Sequence, residues 1–506
     1  MSSDKTDQKK IEIFTKSLII KLVLCAALSA FWVIFLWNFW NRGIYALGLN
    51  AWIFSSLTIL LFVGVLRWKN NFFRRDLIWI IPFVLISLSF ALYDNPFLKI
   101  TSILVFIGLF PVFYNYSFLS EKEKRYWNFD FFIRILKRVF SFLTQIGRSL
   151  ILYLELIIPA NKSKRNIIAK SIAGVILFLI IALTVFIPLL SSADTVFAGK
   201  IQVIYNFVKE FFSVPVVYKI ITFVILSIIT FSMLFAWGKS FVYQEKEEGS
   251  KKIDPIIPGI VLGGILLIYL LFLWVQLDQL WIGSLPFDFK KTESLVKSGF
   301  WQLFFLSIIN ILIYFFAYRK TNKLVQWILT AFTVASFLLL FSAAYRMVLY
   351  TTYYGFSYEK FFASYTVLFC LILFVWLISR LFIKKRSNMV KFLLILFLWM
   401  YAVVTIFPVE WFIMQSNIKL SKMSDSRIKL YELTMLSPDV LSLVKKYKES
   451  GVLKEDKTSI YFVEGDTGEK ERMEPFSWQP WVEQQETIIN NKKWYEKNLM
   501  NILFYK

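Results

Sequence analysis

The residues best equipped for chemistry gather where long apolar runs end. Arg346 stands within Ala344–Tyr350, with Tyr345, Tyr350, Tyr353 and Tyr354 around it and Glu359 beyond. A guanidinium in a low-dielectric site needs a carboxylate and further hydrogen bonds. Asp194 follows Ser191 and Ser192, and Asp278 lies between Gln276 and Gln279. Both acids close apolar runs that point the same way as the run ending at Arg346. The spacing therefore predicts an ion pair between Arg346 and Asp194 or Asp278. Such a pair either fixes helix register or lines a polar cavity, open to the outer face, that binds a ligand.

Much other chemistry is excluded. The chain has no histidine, which removes the commonest general base, the Ser–His and Cys–His pairs and the usual zinc ligand. Cys25 and Cys370 lie in separate apolar runs and read as buried small hydrophobes. No phosphate-binding loop and no dinucleotide fingerprint is present. No catalytic residue, metal set or cofactor is expected, and the balance leans away from an enzyme.

The elements that hold these residues are membrane helices. Of the 506 residues 58% are hydrophobic, above the about 45–50% of soluble domains. Eleven runs approach the ~20 apolar residues needed to cross a bilayer. They are 18–39, 44–66, 77–93, 98–118, 167–190, 216–237, 257–277, 300–317, 325–344, 361–382 and 390–407, the third and eighth near the short limit. Lys and Arg flanking the runs divide roughly three to one in favour of a cytoplasmic N-terminus. With an odd number of crossings, the tail after Pro408 then lies outside. That tail carries 15 basic and 15 acidic residues, so the net charge of +23 belongs to the membrane part. It reads as an orientation signal, not as nucleic-acid binding.

The expected fold class is all-α: a polytopic membrane bundle with interfacial amphipathic helices and a small, mostly helical C-terminal domain. Four regions follow: 1–118 as a four-helix membrane region, 119–166 as a basic connector, 167–408 as a seven-helix core, and 409–506 as the outer domain. In the connector, Arg134, Lys137, Arg138, Gln145 and Arg148 recur at helical spacing among apolar residues. Such a helix lies among anionic headgroups, packs beneath the bundle, or does both. The loop 193–215 is amphipathic as well. In the tail, helices are expected over 411–422, over 438–447 with Ser437 as N-cap, and over 483–504. A strand is expected at Thr458–Val463 with Gly465–Gly468 as its turn, and Trp478, Trp481 and Trp494 suit the membrane interface. Asn310 sits in mid-run, where an amide more often bonds a neighbouring helix than a substrate.

Three stretches carry a resemblance: Pro188–Asp194; Arg346–Tyr350 with Tyr354–Ser357; and Asn417 with Leu436–Asp439. With them the chain resembles a bacterial multi-spanning family known as a domain of unknown function, 4173/4153-like, from about Ile167 onward. The resemblance implies a plasma-membrane location and a helical tail, and brings no substrate. Where such relatives carry Leu-Thr after Tyr-Gly, this chain has Phe356 and Ser357. The leading expectation is a non-enzymatic envelope scaffold or sensor with an outer polar pocket and an envelope protein as partner of the tail. The rivals are a transporter or flippase, and an outer-leaflet lipid-modifying enzyme using Asp194, Asp278 or Asp288.

Overall fold

The structure is a computed structural model. It describes residues 2–68, 76–118, 129–157, 215–238, 256–280, 322–382, 389–423, 430–453, 456–462 and 473–504, with shorter pieces at 171–206, 301–314 and around 254 and 426–428. Among the described residues the fold is all-α apart from one antiparallel pair of strands, Asp456–Phe462 with Met473–Phe476. The expected strand at 458–463 is present; its turn lies outside the described residues.

The count of eleven spans is corrected. Among the described residues seven helices are long and apolar enough to cross a membrane: Ser17–Phe35, Leu49–Trp68, Pro96–Ser117, Val216–Trp237, Ile256–Trp274, Lys323–Tyr354 and Tyr358–Arg380. An eighth passes only if Val390–Ile406 is joined to Val409–Leu420 across a bend of 66°. The third run falls short because its helix stops early: Leu77–Leu92 has 16 residues, about 24 Å at 1.5 Å per residue. Of the eighth run, the helix Phe305–Tyr314 is described, and the residues on either side of it lie outside the described ones. The fifth run and the loop 193–215 lie largely outside the described residues.

The chain forms two compact units. The first comprises Met1–Leu92, Pro96–Tyr243 and Lys492–Leu499; the second comprises Tyr93–Asn95, Gln244–Asn491 and Met500–Lys506. The C-terminal residues 409–506 thus contribute to both.

In the first unit, the connector is tied to helix Pro215–Trp237 along its length. Arg138 donates to Asn115 Oδ1 and to the Trp237 carbonyl, each at 2.8 Å. That carbonyl is one of the orphan acceptors at a helix C-terminus, so the guanidinium also caps the helix. Trp237 Nε1 returns a bond to the Val139 carbonyl at 3.0 Å. Further along, Ser232 bonds Ser149 at 2.8 Å and Ser227 bonds Tyr153 at 2.6 Å. One cation of the basic stripe, Arg138, therefore turns into the protein, while Lys137 and Arg148 remain exposed.

In the second unit the core lies between helices Ile256–Leu280, Lys323–Tyr354 and Tyr358–Phe382, around Leu329, Phe332, Leu373 and Leu377. Asn310 is held by its neighbours: Tyr269 Oη donates to its Oδ1 and its Nδ2 donates to Ser336 Oγ, both at 2.8 Å. In the tail, Trp478 and Trp481 are buried, and Trp481 Nε1 bonds the Thr434 carbonyl at 2.8 Å. They form a protein core and do not face the membrane as expected; of the three tryptophans, only Trp494 is exposed. The single closing helix expected over 483–504 is instead three pieces: Trp478–Asn490, a 3-10 turn Trp494–Glu496, and Leu499–Phe504. Two asparagines, poor in helix interiors, end the first piece at Asn490 and Asn491.

Candidate functional site

The second unit is organised around one buried carboxyl group. Glu410 follows the turn at Phe407–Pro408 and sits in the first turn of helix Val409–Leu420. It is 3% exposed. Four donors converge on its two oxygens. Asn95 Nδ2 reaches Oε1 at 3.0 Å, and the Tyr358 hydroxyl bonds the same oxygen. The Ser437 amide reaches Oε2 at 3.1 Å, and the Ser437 hydroxyl bonds it too. Burying a charge or strong acceptor is tolerable only with such full hydrogen bonding.

The four donors come from three places in the chain. Asn95 lies in the short link before helix Pro96–Ser117. Tyr358 opens helix Tyr358–Phe382. Ser437 is the N-cap of the turn Pro438–Val440, with its side chain accepting from the Asp439 amide, as the Ser-Pro-Asp spacing predicts. A second carboxylate extends the cluster: Asp439 Oδ2 accepts from the Asp94 amide at 2.6 Å, and the Asp439 carbonyl accepts from Trp411 Nε1 at 2.9 Å. Asn501 Nδ2 donates to Asp94 Oδ2 at 2.7 Å, and Tyr93 Oη donates to the Ile406 carbonyl at 3.1 Å. Post-membrane segments and span-end links are thereby fastened into one polar lock.

A second fastening lies beside it in sequence. Gly355 ends helix Lys323–Tyr354 with φ +72°, and a Cβ there would stand 2.7 Å from Asn417 Oδ1. The missing side chain lets Asn417 reach the turn. Asn417 Oδ1 accepts from the Phe356 amide at 2.6 Å, and its Nδ2 donates to the Phe356 carbonyl at 2.8 Å. The Phe356 position, where the family resemblance falters, is read through its backbone, so the change of side chain leaves this contact intact.

The residues singled out from sequence fare unevenly. Tyr350 and Tyr354 are buried with ring centroids 5.2 Å apart. Lys360, which sequence reasoning did not single out, lies 4.5 Å over the Tyr350 ring and donates to the Tyr354 and Gly355 carbonyls at 3.1 Å each. Tyr345 and Glu359 are exposed, and Arg346 is half-buried on the same helix as Tyr350. Ser192 bonds the Leu189 carbonyl of its own helix at 2.7 Å, and Ser191 is half-buried. Asp194, Asp288 and the side chain of Asp278 lie outside the described residues, so the predicted ion pair does too. The residues of the lock were partly visible: Asn417 and Ser437–Asp439 stood out as motifs. Asp94 was visible only as an acid at the end of the third apolar run, and Glu410, Tyr358 and Asn95 did not stand out, because no local pattern marks them. Among the described residues no group of three or more Cys, Asp or Glu is arranged to hold a metal ion.

In the first unit, a shorter segment uses another glutamate. Glu496 is fully buried. Arg42 Nη1 reaches its Oε2 at 3.3 Å, the Lys493 amide reaches the same oxygen at 3.1 Å, and Asn38 Nδ2 bonds Oε1. The Leu49 amide donates to the Lys497 carbonyl at 3.2 Å. Gly48 permits the approach, since a Cβ there would lie 2.2 Å from the Glu496 carbonyl oxygen. Segment Lys492–Leu499 is thus clamped onto the link between the first two spans.

A family model described as Domain of unknown function (DUF4153) matches residues 80–447. No curated protein and no solved structure matches the chain. The matched stretch contains the whole Glu410 cluster except Asn501, and it excludes the Glu496 clamp. The chain belongs to the DUF4153 family.

Proposed function

We propose that this DUF4153 member is a non-enzymatic scaffold or sensor of the bacterial plasma membrane that holds a rigid helical tail for an envelope partner. The observation that carries the reading is Glu410. Its donors tie the tail to links at the ends of membrane helices, and the bonding capacity of the group is spent on that task. A catalytic carboxyl needs a free face for a substrate; this one has a donor at every available position.

Chain order supports an outward position for one part of the tail. The link 36–48, which holds the tail segment Lys492–Leu499, follows the first span Ser17–Phe35. With the N-terminus cytoplasmic by its flanking lysines, that link and the segment on it fall on the outer face. The half-buried Arg346, one helical turn before Tyr350 and so on the same face, remains the candidate for the outer pocket. Exposed cations at Lys137 and Arg148 suit anionic headgroups on the cytoplasmic side. The transporter reading loses its main support, because Asn310 is engaged by Tyr269 and Ser336.

A photo-crosslinker placed at Met435, which is 82% exposed, tests the reading in living cells. The expected result is one defined adduct that disappears when Glu410→Ala loosens the tail. Cross-linking of the wild-type chain to lipid or nothing, with a solute-uptake defect in its place, overturns the reading. Protease reaching the tail only after cells are opened overturns the orientation.

A further inference from the structure

We infer that the clamped segment Lys492–Leu499 and the link between the first two spans together form a docking surface for phospholipid headgroups. All of its residues belong to the first unit. Three large aromatics stand open there: Trp40 is 66% exposed, Trp494 70% and Tyr45 40%. Their level relative to the bilayer follows from the spans. The Tyr495 ring meets Phe35, the last residue of the first span, edge-on at 5.4 Å, and Trp494 packs on Tyr495 at 5.6 Å. Trp40 folds back to stack on Trp32 at 6.4 Å, one turn inside the span. The indoles therefore flank the end of the hydrocarbon layer, where Trp and Tyr present an apolar ring and a polar N–H or O–H to the boundary.

Charge selects the occupant. The exposed cations here are Arg42 and Lys493, while the one acid, Glu496, is buried. Lys219, at the start of helix Pro215–Trp237, brings a third cation to the same level, 5.7 Å over the Trp37 ring. Cations above aromatic rings at a span end complement a layer of phosphates. A protein partner would need this apolar surface free of lipid, yet large apolar side chains stand exposed on the adjoining spans as well, at Ile34 and Ile53. The Glu496 clamp gives the surface its composition: it holds Trp494 and Lys493 at the end of the first span, on the link that carries Trp40.

Nitroxide labels at Trp40→Cys and Trp494→Cys test this in the full chain, reconstituted in nanodiscs of phosphatidylglycerol and phosphatidylethanolamine. Cys25 and Cys370 are buried and stay unlabelled. Collision with oxygen is expected to exceed collision with a water-soluble nickel chelate severalfold at both sites, and the reverse is expected at Met435→Cys. A label at the exposed Lys493 provides the same reading if the tryptophan variants fail to fold. Nickel accessibility at 494 equal to that at 435 would show an aqueous surface and overturn the inference. Shielding from both relaxants would show a protein cover, a second copy or another chain, and overturn it equally.

Discussion

Two buried glutamates fasten two parts of the same tail, and they do so with different chemistry. Glu410 takes only neutral donors, from Asn95, Tyr358 and Ser437. Glu496 takes an arginine, an asparagine and a backbone amide, and that arginine side chain is 46% exposed. The first fastening is sealed from water and gains from low dielectric; its cost appears when a partner is removed. The second leaves its cation in solvent, where the ion pair is screened. The difference leads to an expectation: the number of donors inside the seal, not the presence of a formal ion pair, should decide which glutamate holds harder.

Removing Glu410 breaks the comparison most sharply. Glu410→Ala strands four donors at once and should destabilise the tail by about 3 kcal/mol or more. Limited proteolysis of 409–453 in nanodiscs, across a urea series, measures this. Equal protection of mutant and wild type would show that the lock carries no load. Next is Gly48→Ala, which forces a methyl group against the Glu496 carbonyl and should cost about 3 kcal/mol, the upper end for over-packing. The loss should appear as cleavage confined to 492–499, with the Glu410 region still protected. Asn417→Ala frees both polar groups of Phe356 and should cost about 2 kcal/mol, read as faster amide exchange at 355–357. The smallest effect belongs to Arg42→Ala, about 1 kcal/mol: the guanidinium is half exposed but its partner is buried, so high salt should weaken the effect without abolishing it. An Arg42 effect larger than that of Gly48→Ala, or one insensitive to salt, would reverse the ranking drawn here.

Apolar length made the helices legible: the runs at 44–66, 98–118 and 325–344 announce themselves by composition, although the last helix continues to Tyr354. The third run was marginal in the sequence for the same reason that its helix falls short in the structure, being too short for the hydrocarbon. Ser437–Asp439 was readable because an N-cap followed by proline is a local signal. Glu410 was not, since its donors lie from 27 to 315 residues away and no local pattern encodes them. Trp478 and Trp481 misled because a tryptophan suits both a membrane boundary and a protein core, and only tertiary packing separates the two. Arg346 drew notice for its tyrosines, whereas Lys360 is the cation that rests on Tyr350.

The bond from Asn38 to Glu496 joins positions 458 residues apart. It cannot form until residue 496 has emerged from the ribosome, long after the link that receives it has been made. Until then the cleft at Gly48 has nothing to fill it, so the earliest link between spans is completed by one of the latest-made segments.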